Sequence, residues 1–148
     1  MLAEDDKWFS VSLRIMGDTV DPTKLEGLLG VQPDTLGIMG QPRMGKQGRH
    51  YAPYETNFWS YREGSGPEIG FDQKIQNLFA RLGSEVSALQ RLSATEGVEV
   101  DLFCGFGSGN GQGGDTIQPQ TIKLLADAGV SLTLDLYPPT IDSDDPTE

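Results

Sequence analysis

Residues 98–137 constrain the fold most, because they read as strand, glycine-rich loop, helix and strand in immediate succession. Val98, Val100, Leu102 and Cys104 alternate with Glu99, Asp101 and Phe103, the two-residue period of a strand with one face on a core. Beyond the loop, Pro119 suits a first helical turn, where a missing N–H is tolerated. Ile122, Leu125 and Ala126 then recur at helical spacing until Gly129 offers a left-handed stop. Val130, Leu132, Leu134 and Leu136 alternate with Ser131, Thr133, Asp135 and Tyr137, and Pro138-Pro139 cannot extend the ladder.

The remainder supplies partners for these elements. Phe9, Val11, Leu13 and Ile15 alternate with Ser10, Ser12 and Arg14, which predicts a strand closed by Gly17. Asp21 is placed to cap a short helix opened by Pro22, striped by Leu25, Leu28 and Leu29, and stopped at Gly30. This Pro-opened, Gly-closed segment echoes the one from Pro119 to Gly129, either by duplication or because strand-to-helix joints share that chemistry. A short strand at 35–39 and an aromatic one at 57–62 predict a hairpin with a long tip at 40–54. Phe71, Ile75, Leu78, Phe79 and Leu82 give the strongest amphipathic helix; Gly83-Ser84 interrupts it, and Val86, Leu89 and Leu92 continue the apolar face. The sum is an α+β fold: a mainly antiparallel sheet with helices packed on one face, a ferredoxin-like βαββαβ core plus an additional αβ unit. Residues 1–140 are expected to form a single domain and 141–148 a disordered acidic tail.

Several functions are disfavoured at this level. The single cysteine, Cys104, excludes an intramolecular disulfide and sits on the apolar parity of its strand, which fits a reduced, cytoplasmic setting. No stretch approaches the roughly 20 apolar residues of a membrane span, and the first residues do not read as a secretion signal. A net charge of −11 makes nucleic acid an improbable partner and a basic protein a natural one.

Motifs for catalysis or cofactors are weak. Gly109-Asn110-Gly111-Gln112-Gly113-Gly114 satisfies G-x-G-x-x-G, with Asp135 downstream. However, the strand is expected to end four residues before the motif and the helix to begin only after Gln118, so amides and helix terminus would not meet one pyrophosphate. A P-loop would need Gly-Lys-Ser/Thr. His50 has no nucleophile motif beside it, zinc would need more Cys and His ligands, and Asp142-Ser143-Asp144-Asp145 lacks the glycine and glutamate of a calcium loop. No cofactor or metal is expected and no catalytic residue is assigned. The one local concentration of binding groups is the hairpin tip, where Arg43, Lys46, Arg49 and His50 interleave with Tyr51 and Tyr54, with Trp59 nearby in the chain. Cations among aromatics suit an anion or a stacked base, although polar loop tips carry such charges without using them.

Ser12-Leu13-Arg14-Ile15 with Gly17, the Pro22 helix ending Leu28-Leu29-Gly30, Gln32-Pro33, the strand around Trp59, the helical segment 71–92 and the closing Leu132-Thr133-Leu134-Asp135-Leu136-Tyr137 together resemble a bacterial domain-of-unknown-function family of about this length. The resemblance spans nearly the whole chain, rests on scaffold residues, implies a fold more than an activity, and carries over no catalytic residue. The enlarged 105–114 loop departs from it.

Two functions follow as expectations. One is a non-enzymatic, protein-binding domain of immunity or inhibitor type that meets a basic target through its acidic surface, with a homodimer through a sheet edge or face as a further form of association. The other is a small-ligand or nucleotide-binding regulatory domain using the basic aromatic loop 43–54.

Overall fold

A computed structural model describes residues 6–44 and 50–138 of the chain. Its scaffold is β1 (Lys7–Gly17), on which every other strand of the main sheet is positioned. Antiparallel pairing joins β1 to β5 (Asn57–Arg62) on one side and to β6 (Glu99–Ser108) on the other. The short β2 (Thr35–Gly37) lies antiparallel outside β5, and β7 (Ser131–Leu136) runs parallel outside β6. The order is therefore β2-β5-β1-β6-β7, with a separate pair β3 (Arg43–Met44) and β4 (His50–Tyr51) at the hairpin tip. This is the α+β architecture expected, and β7 is the one strand that enters in parallel, through a helical crossover.

The alternation read in β1 sets the layers. Phe9, Val11, Leu13 and Ile15 are buried, as are Val100, Leu102, Cys104 and Phe106 opposite them on β6. Against this face pack α1 (Leu25–Leu29), α2 (Phe71–Leu82), α3 (Val86–Ser93) and α4 (Pro119–Ala128), which contribute Leu25, Leu29, Ile75, Leu78, Leu89 and Leu125 to one core. The opposite face carries no helix, and Trp8, Ser10, Ser12 and Arg14 remain half-exposed there. At Ile15 to Phe9 and their cross-strand partners the pattern holds without a break, which fixes the register.

Local signals act as expected at the helix ends. The Asp21 carboxylate accepts hydrogen bonds from Thr23 N–H (3.0 Å) and Thr23 Oγ1 (2.6 Å), and these bonds hold its pKa below the ordinary value. Gly30 and Gly129 end α1 and α4 in left-handed conformations, φ 73° and 72°. Gly83–Glu85 form a 3-10 turn that joins α2 to α3, the interruption expected at Gly83-Ser84.

Two expectations are corrected. The strand β6 continues through Gly105, Phe106, Gly107 and Ser108, so the loop begins at Gly109 rather than Gly105. Glycine inside that strand has a packing reason: a Cβ on Gly107 would lie 2.3 Å from Trp8 Nε1. The Trp8 ring lies over Gly105 and Gly107 of β6 instead and meets the Tyr137 ring, centroids 5.0 Å apart. In α4, Thr121, Leu125 and Ala128 turn inward and Ile122 is 54% exposed, so the buried stripe lies one position off the expected one.

Candidate functional site

The hairpin tip is the first candidate. There the backbones of Arg43 and Tyr51 pair across β3 and β4, as do those of Met44 and His50. The Arg43 guanidinium carbon stands 5.9 Å from the Tyr51 ring centroid and 5.3 Å from that of Tyr54, within cation–π reach of both. Tyr54 in turn stacks on Phe58 at 6.4 Å. A Cβ on Gly37 would come within 2.4 Å of the Tyr54 ring, so this glycine gives the tyrosine its seat. Lys46 and Arg49 lie outside the described residues, as does the side chain of His50. Trp59 is set apart from the tip: it pairs opposite Ile15, is fully buried in the core, and its Nε1 has no hydrogen-bond partner among the described residues. An indole so enclosed cannot stack on a ligand bound at the tip.

The helix-free sheet face holds a second cluster, missed by sequence reasoning. Asp101 is 7% exposed although it lies on the polar parity of β6. It accepts from Arg14 Nε at 2.9 Å and Arg14 Nη2 at 2.5 Å, and Thr133 Oγ1 donates to it at 2.6 Å. The bidentate bond to Asp101 raises the guanidinium pKa further. Phe103 covers the pair, 4.2 Å from the guanidinium carbon. With its oxygens engaged in this way, the carboxylate is built as a strut across β1, β6 and β7.

Lys74 is a third group that polar patterning alone does not place. Its side chain is 2% exposed, and its ammonium donates to the carbonyls of Ser65 (2.9 Å) and Gly66 (2.8 Å) and to Ser65 Oγ (3.0 Å), with Glu63 at 3.5 Å. A legible signal existed: Lys74 falls between Phe71, Ile75 and Leu78 on the apolar face of α2. All its donors are satisfied by the 63–66 turn, so its geometry is that of an anchor.

The β7 edge is the fourth candidate and the least expected. On β7 the leucines take the helix side, opposite Leu102, Cys104 and Phe106, but Leu132, Leu134 and Leu136 remain 39%, 56% and 67% exposed. Between them, Phe71, Ile117 and the 113–115 segment lies an apolar cavity of about 210 Å³ with Cys104 at its floor. Desolvation pushes the Cys104 thiol up to about 12, which removes it from nucleophilic use near neutrality. Asp115 reaches the cavity rim, but its Oδ2 accepts from Asp72 N–H at the start of α2 (2.9 Å), while Asp72 Oδ1 accepts from Gln118 N–H before α4 (2.8 Å). This reciprocal pair of carboxylates holds the loop over the sheet.

The same loop contains the glycine motif. With β6 ending at Ser108, Gly109 directly follows the strand, which corrects the expected four-residue gap. The helix nevertheless starts only at Pro119, and the Gln112 N–H is already bonded to Asn110 Oδ1 at 2.9 Å. The amides thus lack the shared focus of a pyrophosphate cradle. Among the described residues, no group of three or more His, Cys, Asp or Glu side chains is gathered to hold a metal ion, and no helix is long and apolar enough to cross a membrane.

Charge is distributed unevenly around these features. Residues 99–148 contain nine of the 22 acids and one of the 11 cations; the part that builds β6, α4 and β7, residues 99–138, holds five of those acids and Lys123, and the remaining four acids follow from residue 139 on. A family model described as a domain of unknown function, DUF4279, matches residues 6–139, in agreement with the resemblance drawn from the scaffold residues. No curated protein and no solved structure matches the chain.

Proposed function

The chain belongs to the DUF4279 family, and we propose that it is a non-enzymatic, protein-binding domain of immunity or inhibitor type, acting in the cytoplasm on a basic partner. One observation carries this reading: a row of half-exposed leucines on the edge strand β7 within the most acidic part of the chain. Edge strands of soluble domains are ordinarily protected by charge, proline or a covering element, and an unprotected one next to an apolar recess is a common site of association. The acidic surroundings favour encounter with a basic partner and discourage an acidic one. Affinity capture from the native host at low salt should retain a specific partner whose binding weakens as salt screens the charges. Failure to retain any specific partner would overturn the reading.

A second reading has its own support in the stacking of Arg43 near Tyr51 and Tyr54. In it the 43–54 loop closes on an anionic small ligand such as a nucleotide, which contributes charge to the arginine and a ring to the tyrosines. Such a ligand raises the melting temperature with concentration. Replacing Arg43, Lys46 and Arg49 by Ala should abolish that shift; an unchanged shift, or none with any anion, rejects it.

A further inference from the structure

We infer that the occupant of the β7 edge is an extended basic segment of the partner, which adds to the sheet as a sixth strand and seats one large apolar side chain in the cavity beneath Leu132, Leu134 and Leu136. The inference rests on the protein-binding reading and specifies how that binding is made. Backbone geometry supplies the first part. Tyr137 N–H donates to Phe106 carbonyl at 2.9 Å, which sets the side of β7 that bonds β6. Because successive peptide groups of a strand point in opposite directions, the N–H and C=O groups of Leu132, Leu134 and Leu136 face away from β6. Three successive outward positions suit an added strand.

Cavity size supplies the second part. At about 210 Å³ the recess falls below the roughly 300–1,000 Å³ of sites for whole small molecules, and its lining includes the exposed Leu132, Leu134 and Leu136 of the edge strand, beside which a neighbouring strand would direct alternate side chains. Its walls are mainly apolar, and the rim carboxylate of Asp115 is committed to the α2 amide, so the recess favours an uncharged entering group. Charge supplies the third part. Residues 99–138 hold five acids against Lys123 as their one cation, and Lys123 is paired with Asp127 at 2.7 Å. A second copy of the chain would bring the same negative charge to this edge, whereas a lysine- or arginine-rich strand with an apolar residue at its centre complements both the field and the recess.

The test uses the full chain and synthetic peptides. A short capped peptide alternating lysine with valine, with one central phenylalanine, is titrated by fluorescence anisotropy beside two relatives: one with serine for phenylalanine, one N-methylated at the amides that would face β7. Each change should weaken binding about ten-fold or more, and Leu134→Lys in the protein should do the same while leaving the melting temperature near that of the parent. Equal binding of all three peptides would reduce the interaction to charge and overturn the inference, as would absence of binding. Sedimentation showing a dimer that Leu134→Lys dissolves would overturn it in favour of a second copy. A captured partner that binds the Leu134→Lys protein undiminished would leave the protein-binding reading standing and remove the strand-addition one.

Discussion

At the scale of single residues, the buried polar groups behave as struts, and their removal reads out in stability. Asp101→Ala should destabilise the chain by about 2 kcal/mol, less than for a fully buried pair because Arg14 keeps 23% side-chain exposure. Pairing it with Arg14→Met should recover much of the loss, as measured by urea denaturation of the single and double variants. Cys104 yields a pH prediction. Its thiol moves from an ordinary 9.0 to about 12 on folding, so the folded state favours the protonated form. The stability this contributes is intact below about pH 9 and declines as pH rises towards 12. Denaturation midpoints across that range should fall less steeply in Cys104→Ala, and a thiol reagent should leave native Cys104 unmodified at pH 8 while reacting after unfolding. The Cys104 environment was readable from strand parity alone. The strut role of Asp101 was not, because its partners Arg14 and Thr133 are 87 and 32 positions away and meet it only across the sheet.

At the scale of elements, capping and strand alternation were legible and loop ends were not. Gly30, Gly129, Asp21 and Pro119 marked their helix ends correctly because the forces concerned act within a turn. The end of β6 was misplaced because Gly105 and Gly107 resemble loop residues until the Trp8 ring, itself in contact with Tyr137, is known to pass above them. The α4 stripe shifted because Thr121 is buried against α2, where Gln76 Nε2 donates to its hydroxyl at 3.1 Å. The loop after β6 depends on Asp115, whose carboxylate caps α2 from a distance of 43 positions in sequence. Asp115→Ala should therefore lower stability by about 1 kcal/mol and speed hydrogen exchange at the Asp72 amide, which amide-resolved exchange can follow. Loss at α4 without loss at α2 would contradict this account of the loop.

At the scale of the whole molecule, the sequence carried the α+β class and the family, since both rest on periodic apolar residues spread along the chain. The β7 edge was harder to read. Leu132, Leu134 and Leu136 have the pattern of core residues, and only the strand order β2-β5-β1-β6-β7 reveals that nothing within the described chain flanks them on the outside. The tip residues came together in part, Arg43 with Tyr51 and Tyr54, while Trp59 left them for the core. Amide hydrogen exchange on the full chain, with and without the lysine–valine–phenylalanine peptide, tests the central claim most directly. In the free chain the amides of Leu132, Leu134 and Leu136 should exchange quickly while those of Thr133 and Asp135 are protected, and the peptide should slow the outward three selectively. Protection of those three amides before any peptide is added, or protection by the peptide only at the tip or on the helix-free face, would contradict it.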